Sequence, residues 1–534
     1  MNLNELSKEE LIKIIEENEN TSGKYGLVWD KEREPELIVT ECNKSIPILN
    51  EIEVIKNNSA KNFNYLIKGD NFHSLSVLNY THKEKVDVIY IDPPYNRGKQ
   101  DLIYNDKYVD INDGYRHSKW LNFMEKRLKL AKDLLKEDGV ILISIDDNEF
   151  AQLKLLCDKI FNYKNYVGEF IRKTKSSTND ADSFFNQQHD FCLVYKKGNF
   201  QFDGVEKELS GYKNPDNDPN GDWKSSDPSA KSGGPSTYFE IKNPITGQID
   251  LPPKGRYWAF SKESLKKYIE IGKIKFKEEQ KNGERGFIFK SYKNNLRNLN
   301  KPVDSLMFDD NLYMNQVATK EINDLDIEFD YPKPVEFIKK IIASIGNKNS
   351  TILDFFAGTG TTAQAVFELN KEDGGNRQVI ICTNNENNIF DNATYPRIKK
   401  TIMDNNLIYY ETAFVENTNN RDQLYFDLTE RCIPMLCMKS ECFEEYKSSD
   451  EYKIFTNGDK TKYACVYYSL FGEKEEEFIE ELRNIKEEKY LYKFTLGDTP
   501  DMTKYKDLTN YEVEAIPYKI VELYKRIVKL SRED

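Results

Sequence analysis

Long apolar runs are missing from this 534-residue chain, and none approaches the roughly 20 residues that a membrane-spanning helix needs. Charged residues make up 31% and hydrophobic ones 38%, so a globular cytoplasmic protein without membrane contact is expected. The amino terminus, Met1-Asn2-Leu3-Asn4-Glu5-Leu6-Ser7, lacks a basic stretch followed by an apolar core, which argues against a secretory signal. The eight cysteines lack short paired spacings. Cys432, Cys437 and Cys442 have no histidine near them and a spacing that fits no common zinc site, so they read as ordinary thiols in a reducing compartment. A Walker A lysine, a helicase motif and a nuclease-type carboxylate cluster are absent too. Neither a metal centre nor a cutting function is expected.

Positive charge is scarce overall, with a formal net charge of −13. Its distribution is uneven. Residues 151–300 hold 26 Lys and Arg against 19 Asp and Glu, whereas residues 401–534 hold 19 against 28. Nucleic acid responds to a local basic surface rather than to the total, so the middle of the chain can carry such a site without requiring one. The length leaves room for two to four domains.

What is present centres on Val88-Ile89-Tyr90-Ile91-Asp92-Pro93-Pro94-Tyr95-Asn96. Its first four residues form an apolar run of the kind found in a buried strand of a parallel sheet. Pro93 and Pro94 cannot donate to a ladder and hold φ at about −65°, so the strand must stop in a stiff turn. A carboxylate and an aromatic ring then stand at the carboxyl end of a strand, where open α/β sheets bind ligands. Such a turn can grip an exocyclic amine on a planar base. Asp92 and the Pro93 carbonyl would each accept a hydrogen bond from it, Tyr95 would stack on the ring, and the nitrogen lone pair would face an electrophile. The plainer reading is a proline turn with a capping Asp. The strand, the Tyr and the glycine loop described below favour the functional reading.

Along the chain, Ser7-Lys8-Glu9-Glu10 is a capping box followed by Leu11, Ile14 and Ile15 at helical spacing, which predicts a peripheral helix. Residues 21–60 are mixed, with strand-like pieces such as Leu37-Ile38-Val39. Asn64–Ile67 reads as a strand running into Lys68-Gly69-Asp70-Asn71 and a helix containing Leu75 and Leu78. Asp70 can cap that helix or bond the polar edge of a ligand. A helix over about Lys119–Lys136 precedes a strand over Gly139–Ile145, and the alternation across 64–160 indicates a doubly wound α/β sheet. His189, just before the strand-like Phe191–Tyr195, reads as structural or substrate-orienting. From about 200 to 315, basic residues interleave with aromatics, as in Lys254-Gly255-Arg256-Tyr257-Trp258 and Lys290-Ser291-Tyr292-Lys293. This texture suits phosphate and base contact, or else the small core of a loop-rich insertion. Glu473–Glu488 predicts an exposed helix, and Pro517–Leu530 a closing one.

The second landmark is Ser350-Thr351-Ile352-Leu353-Asp354-Phe355-Phe356-Ala357-Gly358-Thr359-Gly360-Thr361-Thr362, a strand, a tight glycine turn and a helix start running on through Ala363–Leu369. The glycines allow close backbone approach, and the helix start offers unpaired N–H groups. Gly358-x-Gly360-x-x-Ala363 is similar to a dinucleotide fingerprint. The strand Arg377–Thr383 follows, and then Glu386, the kind of acid that bonds ribose hydroxyls.

Together these motifs resemble S-adenosylmethionine-dependent amino-methyltransferases, and more closely the modification subunit of Type III restriction–modification systems. The resemblance is carried by Ile67–Asn71, Asp92–Tyr95, Phe329-Asp330-Tyr331-Pro332-Lys333-Pro334, Asp354–Gly360 and Cys382–Asn388. The catalytic motif precedes the glycine motif, with a long insert between, as in the β group, whose sheet is circularly permuted and whose insert is a target-recognition domain. The resemblance implies an α/β fold with a doubly wound, mostly parallel Rossmann-like sheet. It also implies five regions: a peripheral segment 1–60, a catalytic half 61–199, a recognition domain 200–315, a cofactor half 316–400 and an α+β C-terminal region 401–534. Asp92, Pro93, Pro94 and Tyr95 would be catalytic. Asp70 would face the cofactor adenine, Lys333 and Pro334 would lie beside its methionine end, and Asp354, Phe356, Gly358, Gly360 and Thr361 would form the main pocket. The ribose ligand stays open between Glu386 and the polar run Thr383-Asn384-Asn385 before it.

The reaction expected is direct displacement onto adenine N6 of a flipped base in double-stranded DNA, without a metal. Cytosine N4 is the nearest alternative, and a nicotinamide-dependent oxidoreductase a more distant one. A homodimer and a separate helicase–nuclease subunit are the partners implied.

Overall fold

The computed structural model describes residues 27–530 other than 30–35, 42–43, 58–61, 99–101, 106, 178–184, 280, 282, 309–310, 418–420 and 470–471. The helix expected after Ser7 lies outside the described residues. Residues 1–202 together with 304–534 make one compact unit, and 203–303 make another.

The larger unit is built on a ten-stranded sheet. In chain order its strands are β1 (Ser45–Ile55), β2 (Phe63–Lys68), β3 (Val86–Ile91), β4 (Leu135–Ile145), β5 (Tyr166–Lys173), β6 (His189–Lys196), β7 (Leu306–Met307), β8 (Thr351–Asp354), β9 (Gln378–Thr383) and β10 (Asn406–Glu416). Their spatial order is β1-β10-β2-β9-β8-β3-β4-β6-β5-β7. The central pairings β10–β2–β9–β8–β3–β4 are all parallel, while β1, β6 and β5 join antiparallel. β3 is buried at every position but Asp87, and β9 throughout, as strands covered on both faces must be. The late strand β8 inserts beside the early strand β3 with Ile352 opposite Val88 and Leu353 opposite Ile89. Two sequence-distant turns therefore leave the sheet side by side.

The helices that matter for the site are α1 (Asn71–Thr81), α2 (Arg116–Leu134), α3 (Val335–Ile345) and α4 (Thr361–Asp373). α1 starts at the Asp70 cap and α4 at left-handed Gly360. No helix among the described residues is long and apolar enough to cross a membrane.

Two boundaries and one element differ from expectation. The segment 1–60 is not wholly peripheral, because β1 pairs along its length with β10 and buries Ile46, Ile48 and Leu49. Pro47 and a bulge near Glu51 disguise it in sequence, and both are tolerated on an edge strand. Leu37–Glu41 is a short helix, not a strand. The C-terminal region begins after β10 rather than at 401, since β10 pairs in parallel with β2, a contact no local pattern announces. Beyond it, a five-stranded sheet (Glu444–Ser448, Tyr452–Thr456, Lys462–Tyr467, Glu488–Thr495, Tyr511–Pro517) is packed by Glu475–Asn484, which buries Phe478, Ile479 and Leu482. That helix is thus amphipathic rather than simply exposed. Cys432, Cys437 and Cys442 are buried, which pushes their thiols up.

In the smaller unit, Trp223–Ser225, Phe287–Tyr292 and Ile274–Phe276 form a three-stranded sheet with the helix Lys262–Glu270 beside it. Its core holds Ile241, Trp258, Phe260, Ile274 and Phe287. Lys290 is buried between Asp216 and Asp218, and Tyr292 donates to Asp218 at 2.8 Å. Part of the basic–aromatic texture is therefore core.

Candidate active site

The carboxyl ends of β3 and β8 open into a cleft of about 1320 Å³ within the larger unit. Asp92 leaves β3 with its side chain 26% exposed, and its two oxygens accept from Lys333 Nζ at 2.7 and 2.6 Å. The stiff turn that follows is clamped from outside. Trp120 Nε1 on α2 donates to the Pro94 carbonyl at 2.7 Å, while the Pro93 carbonyl has no hydrogen bond among the described residues. The Tyr95 ring is buried with its hydroxyl unpartnered among the described residues, and burial holds that hydroxyl's pKa well above the ordinary value. Arg97 stands 5.0 Å from the Tyr95 ring centroid and donates to Asp146 at 2.7 Å.

Asn96 takes the left-handed conformation, φ +57°, that reverses the chain after the prolines. Its Nδ2 donates to Glu149 at 2.5 Å and to the Arg116 carbonyl at 3.2 Å. Arg116 Nε donates to His117 Nε2, so His117 Nδ1 carries the proton that faces Glu149 at 2.6 Å. Burial, then the Arg116 charge, lowers the His117 pKa.

Across the cleft, Asp354 ends β8 and turns inward. One oxygen accepts from the Phe356 N–H at 3.0 Å and the other from Thr362 Oγ1 at 2.6 Å. Burial pushes its pKa up to about 7, against those two bonds, and the Asp92 charge adds to the rise. Gly358 and Gly360 adopt φ +50° and +82°. A Cβ on Gly358 would meet nothing nearer than the Phe356 carbonyl oxygen at 4.0 Å, whereas one on Gly360 would touch Ile398. Thr361 Oγ1 is engaged by Thr359 and by Arg397 Nη1 at 2.7 Å, so its hydroxyl is used within the loop. Asp70 caps α1 through the Phe72 N–H at 2.7 Å while also lining the cleft. Glu386 and Asn384 line its rim.

The stretch that holds both turns and the long insert between them has a counterpart among known proteins. Residues 86–394 match the N6/N4 methyltransferase family, described as DNA methylase. The chain belongs to that family. A relative, the Type III restriction-modification enzyme StyLTI Mod subunit of Salmonella typhimurium, is 36% identical over 353 residues, 60% of this chain and 52% of that protein. The EcoPI Mod subunit of Escherichia phage P1 is 30% identical over 438 residues, 71% and 67% of the two chains. The Type II methyltransferase M.KpnI of Klebsiella pneumoniae is 32% identical over 346 residues, 59% of this chain and 79% of that enzyme. The chain thus spans about half the length of the Salmonella subunit that it matches.

In this member of the family, Asp70, Asp92–Tyr95, Lys333, Asp354, Phe356, Gly358, Thr361 and Glu386 all line one cleft. Pro334 caps α3 just beyond Lys333. The Lys333 ammonium bonds the Asp92 carboxylate. His189 lines the same cleft at the start of β6. Four groups escaped the sequence reading. Arg127 on α2 is fully buried, pairing with Glu36 at 2.8 Å, reaching Asn71 Oδ1 and lying 3.7 Å over the Phe123 ring. Arg172 and Asp190 form a buried pair at 2.5 Å beneath the cleft. Arg397 holds the glycine turn from behind, its burial lowering its pKa to about 10. Glu149 anchors Asn96. The available signal was a charge at an apolar position: Arg127 falls in line with Trp120 and Phe123, and Arg172 with Phe170.

Proposed function

We propose that this protein is a site-specific DNA methyltransferase acting on adenine N6 of a flipped base with S-adenosylmethionine, and the modification subunit of a Type III restriction–modification system. The observation that carries this reading is the meeting of the Asp92–Tyr95 turn and the Asp354–Thr361 turn at the ends of adjacent parallel strands in one cleft. Family membership and the Mod subunits among the relatives support the wider assignment.

The cleft residues fit the cofactor. Gly358 leaves space where a side chain would begin, Phe356 and Phe123 present ring surface 5.8 Å apart, and Asp70 adds an acceptor. When bound, S-adenosylmethionine supplies a methyl group on a sulfonium centre. Asp92 and the Pro93 carbonyl accept the two N–H bonds of the target amine, and Tyr95 carries the base by stacking. Alignment and fixed dipoles lower the barrier. Glu386 is assigned to the ribose, and the unit 203–303 to reading the DNA site.

The test is mass spectrometry of nucleosides from duplex DNA incubated with the purified protein and methyl-labelled cofactor. Labelled N6-methyladenine is expected. N4-methylcytosine would overturn the choice of base, and no labelled nucleoside despite cofactor binding would overturn the activity. Light scattering should show a homodimer. The chain alone should leave DNA uncut, since cleavage is assigned to a separate helicase–nuclease subunit; ATP-dependent cutting by the chain alone would refute that division.

A further inference from the structure

Lys333 and Asp92 are 241 residues apart in sequence and bond each other across the cleft. Nζ bonds both carboxylate oxygens, and among the described residues neither group has another hydrogen-bonding or ionic partner. The lysine hangs from a stiff backbone, with Pro332 before it and Pro334 after it, and the next N–H, of Val335, donates to Glu321 at 3.0 Å. Its ammonium is also 4.9 Å from the Tyr95 ring centroid, so it touches both functional side chains of the proline turn.

We infer that Lys333 is a positioning residue for methyl transfer: it holds the Asp92 carboxylate in one orientation and cedes one oxygen to the target amine as the base enters. This rests on the function proposed above. The pair is neutral as a unit. An isolated lysine there would repel a sulfonium cation, and an isolated aspartate would attract it. Removing the lysine alone should therefore leave cofactor affinity intact or raise it, the opposite of what a lysine gripping the cofactor predicts.

Three measurements test the inference. Lys333→Met should lower kcat by at least tenfold while the cofactor Kd, by calorimetry, stays the same or tightens, and Lys333→Arg should recover part of the loss. Asp92→Asn combined with Lys333→Met should be no slower than Asp92→Asn alone, because the lysine acts through the aspartate. Independently of turnover, an amine-acylating reagent followed by peptide mass spectrometry should label Lys333 several-fold faster in Asp92→Asn than in the unaltered protein. A Lys333→Met variant with normal kcat, or one whose cofactor binding falls tenfold, would overturn the role. Equal labelling rates would overturn it even if Lys333→Met fails to fold. An unaltered protein that transfers no methyl group would instead defeat the functional reading, while the labelling still reports on the pair.

Discussion

The proline turn after β3 and the glycine turn after β8 leave neighbouring strands at the same edge, and each begins with an aspartate. They treat that aspartate in opposite ways. Asp92 is 26% exposed and carries a lysine on both oxygens. Asp354 is 2% exposed, has only an N–H and a hydroxyl for hydrogen-bond partners among the described residues, and its pKa rises to about 7. The prolines stiffen the first turn so that it presents a charge and a ring, whereas Gly358 of the second leaves no side chain where the backbone lines the cleft. The first turn presents its carboxylate to the cleft, and the second buries its own.

The sharpest break between the turns should come from Asp92→Ala. One charge-assisted hydrogen bond, worth roughly 1.5–3 kcal/mol, accounts for about a ten- to hundredfold loss, and lost alignment should carry transfer to near zero. Cofactor binding by calorimetry should survive. Loss of both together would erase the distinction. Gly358→Leu should do the reverse, abolishing cofactor binding in a protein whose circular dichroism is unchanged. Part of that effect is direct blockage, and part is the roughly 1–2 kcal/mol strain of a side chain at φ +50°.

Asp354 should show itself through pH. Its folded pKa lies above the unfolded value, so its stabilising contribution is full below about pH 4 and is lost as pH rises through about 7. The loss is at most about 4 kcal/mol. Asp354→Asn should therefore gain stability relative to the unaltered protein between pH 5 and pH 8, measured by thermal unfolding. The same difference at both values would contradict the buried-acid picture. Tyr95→Ala should weaken the hold on the base by ~1–3 kcal/mol, read as a raised Kd for target DNA. Tyr95→Phe should change least, because the hydroxyl has no hydrogen-bond partner among the described residues. A Phe variant as impaired as the Ala one would give the hydroxyl a role that stacking does not need.

Both turns were legible before any coordinates, because proline and glycine act on their own φ and the apolar runs ahead of them mark the strands. The doubly wound core between β2 and β4 was legible for the same reason. The extent of the sheet was not. β1 and β10 joined it through pairings whose partners lie more than 300 residues apart, and hydrophobic pattern records burial, not partnership. The middle region shows the same limit: its lysines and aromatics fitted a contact surface or a small core equally, and only the structure shows Lys290 and Trp258 buried.

The sequence by itself determined that a proline turn and a glycine turn each end a buried strand, and which residue types stand on them. Only the tertiary structure decided that they face one cleft, that Lys333 is held by Asp92, that Arg127 bridges Glu36 to α1 and that Arg397 braces the glycine loop. Backbone restriction is local and is written residue by residue. An ion pair is a statement about distance, and distance between remote residues exists only once strands have found their register and helices their seats.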